Sequence, residues 1–102
     1  MTIKSPFMPE RGKNFVVTPA AASAAVEVNP SAKSVRFVNS GAAICHVRMG
    51  TVLNAGTADT TDTPVLPNTA LILQKQMGDD TISYISASGT TLHIQTGEGG
   101  YV

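Results

Sequence analysis

The sequence predicts an all-β fold, either a small antiparallel β-sandwich or a jelly-roll-like barrel of about seven to eight strands, with an extended N-terminal arm. Short runs with alternating apolar side chains recur along the chain, and turn residues separate them. No segment repeats its apolar side chains with the period of a helix. The chain has 102 residues, which is the length of one domain.

Four of the predicted strands fall in the first half of the chain. They are NFVVT (14–18), SAAVEVN (23–29), KSVRFVN (33–39) and AAICHVRM (42–49). Between the third and the fourth lies Asn39-Ser40-Gly41, a three-residue loop that favours a hairpin. This hairpin would place Phe37 opposite Ala43 and Val35 opposite Cys45.

Three more strands are predicted in the second half, namely TALILQK (69–75), TISYIS (81–86) and TTLHIQ (90–95). The last two flank another three-residue loop that ends in Gly89, so a second hairpin is expected. It would place Tyr84 opposite Leu92 and Ile82 opposite Ile94. The Thr- and Asp-rich segment 51–68 is the longest connection, and we expect it to cross from one sheet to the other.

The chain divides into an extended arm (1–13), a β-sandwich domain (14–97) and a flexible tail (98–102). The arm contains Pro6, Pro9 and Gly12, which do not favour a regular element. It also carries three of the seven basic residues. Such a terminus is either a frayed end or an arm that docks on a neighbouring molecule.

The composition narrows the class of function. Charged residues make up only 14% of the chain, and seven basic residues balance seven acidic ones. A surface this poor in charge is typical of a protein that docks on other protein, and it does not predict nucleic-acid binding. No apolar run reaches the ~18 residues of a membrane span or resembles a signal peptide, so synthesis in the cytoplasm is expected. One cysteine cannot form an internal disulfide.

The sequence offers only weak candidates for a catalytic or metal-binding site. Cys45 and His46 are neighbours on a predicted strand, so their side chains point to opposite faces and cannot act together. Cys45 falls on the apolar face and is expected in the core. Asp59 and Asp62 lie in the Thr-rich loop without the further ligands that a calcium site needs. The sequence therefore predicts no catalytic residue, no metal, no cofactor and no enzymatic activity.

Basic residues suggest where a partner would bind. The predicted hairpin collects Arg36 and Arg48 on its outward face, together with Val38, Ile44 and His46. That face is either a docking surface, a face covered by the second sheet, or a plain solvent-facing strand pair. Within the arm, Lys4, Arg11 and Lys13 are the candidate contacts.

Four segments, read in order, resemble small virion proteins of tailed bacteriophages. They are SVRFVNSG, CHVRMGT, TDTPVLPNTALILQK and ISYISASGTTLHIQTGEG, and the likeness spans roughly residues 33–100. The resemblance implies a non-enzymatic capsid decoration (cement) protein that bridges major capsid subunits. A head–tail adaptor, neck or tail component is the alternative, and a carbohydrate-binding module ranks below both.

The same resemblance implies the partners and the location. The major capsid protein is the expected partner, together with further copies of the chain in a homo-oligomer such as a trimer. Nucleic acid and membrane are not expected partners. The protein would be synthesised in the cytoplasm of the bacterial host and would end in the virion capsid.

Overall fold

A computed structural model describes residues 7–51, 56–76 and 78–98 of the chain. These residues form eight β-strands and no helix. The strands are β1 (Met8–Val17), β2 (Ala24–Glu27), β3 (Ser34–Asn39), β4 (Cys45–Gly50), β5 (Thr63–Val65), β6 (Thr69–Gln74), β7 (Thr81–Ile85) and β8 (Leu92–Glu98). The prediction of an all-β chain with about seven to eight strands is confirmed.

The strands build two four-stranded antiparallel sheets that pack face to face. Sheet A has the order β1-β8-β3-β6, and sheet B has the order β2-β7-β4-β5. Strand β1 therefore pairs with β8, β2 with β7, β3 with β6 and β4 with β5. This nested pairing is the jelly-roll arrangement of a β-sandwich, as predicted.

Both predicted hairpins are wrong, because their strands lie in different sheets. Val35 lies opposite Leu73 and Thr96 rather than Cys45. Tyr84 lies opposite Ala24 and Val47 rather than Leu92. The connections are longer than the predicted three-residue loops: residues 40–44 join β3 to β4 and residues 86–91 join β7 to β8. A connection of this length spans the ~10 Å between two packed sheets. The alternation of side chains is the same in either case, so the pattern could not separate them.

The core lies between the two sheets and is built mainly from aliphatic side chains. The largest fully buried ones are Phe37, Ile82, Leu92 and Ile94. Cys45 is fully buried among them, as expected, and its burial raises the pKa of the thiol to about 11. The neighbouring His46 is half-buried on the opposite face of β4. The Cys-His pair is therefore strand packing and not a reactive couple.

Asn39 joins three segments of the chain by hydrogen bonds at one end of the sandwich. Its Nδ2 donates to the carbonyls of Ala43 (2.8 Å) and Val65 (3.0 Å). Its Oδ1 accepts from the Gly41 N–H (3.1 Å) and from the Thr90 hydroxyl (2.7 Å). All four hydrogen bonds that an amide side chain can make are thus formed at a fully buried position. Asn39 and Gly41, predicted as hairpin residues, instead form the turn that leads the chain from sheet A to sheet B.

Lys75 joins two connections at the opposite end of the sandwich. Its side chain is almost fully buried, and its Nζ donates to the carbonyls of Pro30 (3.1 Å), Gln76 (3.2 Å) and Asp79 (2.6 Å). These carbonyls belong to the β2–β3 and β6–β7 connections. The ammonium group therefore joins two chain crossings through backbone oxygens.

The predicted arm and tail lie partly inside the sheet. Strand β1 begins at Met8, so the boundary drawn after residue 13 falls within a strand. Its pairing with β8 shifts register between Pro9 and Asn14, which is the irregular part of the strand. Strand β8 ends at Glu98. Residues 1–6 of the arm and 99–102 of the tail lie outside the described residues.

The long connection 51–68 makes the expected crossing between sheets, but only at its end. It contains the short strand β5, which pairs with β4 in sheet B. The chain then passes to sheet A between Val65 and Thr69. Asn68, with a φ of 56°, adopts the left-handed conformation there, which asparagine tolerates better than most residues.

Candidate interaction surface

The residues predicted for docking do not form one surface. Arg36 lies on β3 in sheet A, whereas Arg48 lies on β4 in sheet B. Both point away from the core, so they emerge on opposite sides of the sandwich. The predicted stripe that joined them, with Val38, Ile44 and His46, is therefore wrong. Arg11 and Lys13 fall within β1, and Lys4 lies outside the described residues.

The loop that spans residues 56–62 covers the centre of the outer face of sheet B. Ser83, on the central strand β7, is 1% exposed and donates its hydroxyl to the Gly56 carbonyl (2.8 Å). Ala58 is buried, and its N–H donates to Ser23 Oγ (3.0 Å). The Thr-rich segment thus packs on the sheet in this part.

Arg48 fastens this loop to the sheet. Its Nε lies 3.0 Å from Asp62 Oδ1, and its Nη2 lies 3.8 Å from Asp59 Oδ2. The hydrogen bond to Asp62 is the main cause that raises the pKa of Arg48. The other oxygen of Asp62 accepts the Asp59 N–H (2.9 Å). These contacts direct the Arg48 side chain toward its own loop.

The carboxylate of Asp59 provides a test of this loop by pH. Thr61 donates its hydroxyl and its N–H to Asp59 Oδ1, and the hydroxyl bond is the main cause that lowers the pKa of Asp59. Because the pKa is lowered, the ionised carboxylate of Asp59 stabilises the loop at pH values above the ordinary pKa of ~3.9. This contribution is lost as the pH falls through the lowered pKa. In a Thr61→Val variant, we expect the pKa of Asp59 to rise toward the ordinary value, as measured by carboxyl-carbon NMR titration. A Thr60→Val variant serves as the control and should titrate like the original chain.

The outer face of sheet A is open by comparison. We call it the A-face and define it by two rows of outward side chains that the strand register places side by side. The first row is Val16, His93, Val38 and Ala70, and the second is Asn14, Gln95, Arg36 and Ile72. No strand within residues 7–51, 56–76 and 78–98 lies over it. Val16 is 58% exposed there.

The A-face is rich in aliphatic side chains and poor in charge. Half of its eight positions are aliphatic, and Arg36 is the one charged side chain apart from the titratable His93. Arg36 contacts Gln95 Oε1 at 3.5 Å, which is too long for a strong hydrogen bond, so the guanidinium keeps capacity for a partner. An apolar patch bordered by a few polar groups is typical of interaction sites.

The described residues also form shallow depressions on the surface. One, of about 430 Å³, lies between the β3–β4 and β7–β8 connections, and its walls include Ile44 and Ala87. Another, of about 320 Å³, lies between the edge strands β5 and β6. Neither is lined by an ionisable side chain. Over the described part of the chain, no group of three or more His, Cys, Asp or Glu residues is placed to hold a metal ion. The same part contains no helix long and apolar enough to cross a membrane.

Comparison with known proteins yields a likeness of fold alone. No family model matches the sequence, and no curated protein matches it either. Among solved structures, the crystal structure of PirA is similar, with a TM-score of 0.55. The likeness covers 87% of this chain and 96% of that one, at 13% sequence identity. At this identity the likeness shows a shared fold alone and carries no function across.

Proposed function

We propose that this chain is a non-enzymatic structural protein that docks through the A-face, and more specifically a capsid decoration protein of a tailed bacteriophage. The observation that carries the proposal is the contrast between the two outer faces. The loop 56–62 packs on the centre of sheet B around Ser83, while no strand of the described residues lies over the A-face, which carries few charges. The bacteriophage assignment rests on the sequence resemblance over residues 33–100.

The physical properties of the domain suit that role. Many identical subunits on a symmetric shell bind through repeated contacts, so each individual contact can be weak. Binding to the shell also stabilises a small domain, because the bound state favours the folded chain. The A-face has no Phe, Tyr or Trp, and Tyr84 is buried in the core. Since sugar-binding surfaces commonly use aromatic platforms, a carbohydrate-binding role is less favoured.

The test is binding of the purified chain to phage heads that were assembled without it. We expect saturable binding, with many copies on each head, measured by quantitative mass spectrometry. A Val16→Asp variant should bind at least about tenfold more weakly, because it places a carboxylate on the A-face at an exposed position. An Ala25→Asp variant is the control, since Ala25 is an exposed strand residue on sheet B.

Two results would contradict the proposal. Absence of the chain from particles would remove the virion role altogether. Equal binding by the Val16→Asp variant and the original chain would exclude the A-face as the contact. A single ring of copies at the neck or tail would instead assign the chain to the adaptor class.

A further inference from the structure

The four edge strands of the sandwich differ in how they resist pairing with another chain. Strand β1 carries Pro9 and a register break, and β2 is only four residues long and ends in Glu27. Strand β5 is three residues long and contains Pro64. Short length, proline, charge and irregularity are the usual devices that block strand addition at an edge. Three edges are therefore protected.

Strand β6 has none of these devices. It runs for six residues, Thr69–Gln74, with the sequence TALILQ, and contains no charge, proline or glycine. It pairs regularly with β3 along its whole length. Its other edge has no strand partner within the described residues. A regular, uncharged edge of this kind is a template for a further strand.

The backbone groups that this edge offers follow from the ladder. The Lys75 N–H donates to the Lys33 carbonyl at 2.7 Å, in the same register as the β3–β6 pairing. Because hydrogen-bonded and non-bonded pairs alternate in an antiparallel ladder, Thr69, Leu71 and Leu73 also bond to β3. The N–H and C=O groups that point out of the sheet are therefore those of Ala70, Ile72 and Gln74.

We propose that this edge pairs with β6 of a second copy, antiparallel, about a two-fold axis at Ile72. In that register Ile72 meets Ile72 of the other copy, Ala70 meets Gln74, and Leu71 meets Leu73. Every outward-pointing group finds a partner, for a total of about six hydrogen bonds across the axis. Residues of the same face meet each other, so the inner faces of the two A sheets remain on one side.

The occupant is a second copy because the strand is complementary to itself. The pairing needs no charged partner, and none of the residues that line the adjoining depression is charged. This depression includes Leu66, which is 55% exposed, and Leu71, which is half-buried. The two A sheets would become one eight-stranded sheet, which would join the two A-faces side by side. The inference stands on β6 alone and does not rest on the proposed function.

The first test is the mass of the chain in solution. Native mass spectrometry and sedimentation equilibrium should show a concentration-dependent species of twice 10.6 kDa. An Ile72→Lys variant should dissociate at least tenfold more readily, because it places two like charges opposite each other at the axis. A Val16→Lys variant, at the far edge of the same sheet, should dimerise like the original chain. Circular dichroism checks that both variants are folded.

The second test fixes the register. A hydrogen-bonded antiparallel pair has its Cα atoms ~5.5 Å apart, which is within the span of a disulfide. An Ile72→Cys variant should therefore form a covalent dimer under mild oxidation, whereas a Val16→Cys variant should not. The native Cys45 is fully buried and will not compete. A monomer at all concentrations overturns the inference, as does a dimer that persists in Ile72→Lys or fails to cross-link. If the chain stays monomeric but binds an added extended peptide at this edge, then β6 pairs with a different chain and not with a second copy.

Discussion

An Asn39→Asp variant should lose about 3–5 kcal/mol of the free energy of unfolding at neutral pH. The substitution keeps the shape of the side chain but places a carboxylate oxygen where Nδ2 now donates to Ala43 and Val65. Oxygen would then face oxygen at a position with no exposure to solvent. Urea unfolding of the original chain and the variant measures the difference.

The loss in the Asn39→Asp variant should depend on pH. Protonation of the introduced carboxyl removes its charge and supplies one donor, so the variant should be least impaired in acid and increasingly impaired as the pH rises. An Asn14→Asp variant makes the same chemical change at an exposed strand position and should alter stability by less than about 0.5 kcal/mol. Equal losses in the two variants would show that the hydrogen bonds of Asn39 contribute little.

A Lys75→Met variant should lose about 2–4 kcal/mol. Methionine fills a similar volume, but it leaves the carbonyls of Pro30, Gln76 and Asp79 without the ammonium donor that now satisfies them. Thermal and urea unfolding measure the loss. Hydrogen exchange should show that the protection of the Gly78 N–H, which donates to Pro30, falls first.

Lys33 offers a matched control for this substitution. It is an exposed lysine on the connection that Lys75 holds, and it contributes its backbone carbonyl to the Lys75 N–H. A Lys33→Met variant removes the same charge from the chain and keeps that backbone bond, so it should be nearly neutral. If Lys75→Met were equally neutral, the buried ammonium would not be holding the two connections together.

Asn39 and Lys75 are important for stability because of the jelly-roll topology. Where consecutive strands lie in different sheets, their connections must cross the end of the sandwich without a hairpin ladder to satisfy the backbone. Asn39 makes hydrogen bonds to the backbone of the connections at one end of the sandwich, and Lys75 does so at the other end. The chain is also closely packed around Asn39, since a Cβ added at Gly41 would overlap the Thr90 hydroxyl that bonds to Asn39. The ends are thus joined by side chain to backbone bonds.

The alternation of apolar residues correctly predicted which side chains face the core. Cys45 was assigned to the apolar face and is buried. Phe37, Tyr84 and Ile94, each two positions from another apolar residue of its predicted strand, are buried as well. It could not predict pairing, because side chains alternate identically whether the next strand joins the same sheet or the opposite one. Arg36 and Arg48 were therefore placed on one face when the fold separates them.

Part of the candidate surface was beyond the reach of local patterns. Val16, His93 and Ile72 come from three strands far apart in the chain, and only the order β1-β8-β3-β6 brings them beside Arg36. In the same way, Lys75 carries no local mark that separates it from an exposed lysine. Its burial depends on three carbonyl groups that other parts of the chain supply.

Composition and alternation, which act locally, determine that this chain forms short strands, that it buries an aliphatic core, and that its surface holds few charges. Which strands become neighbours depends on contacts between distant segments, because strands find their partners through backbone bonds that carry no sequence code. The tertiary structure alone therefore decides that a loop packs on the centre of sheet B, that no described strand lies over the A-face, and that β6 is the unprotected edge.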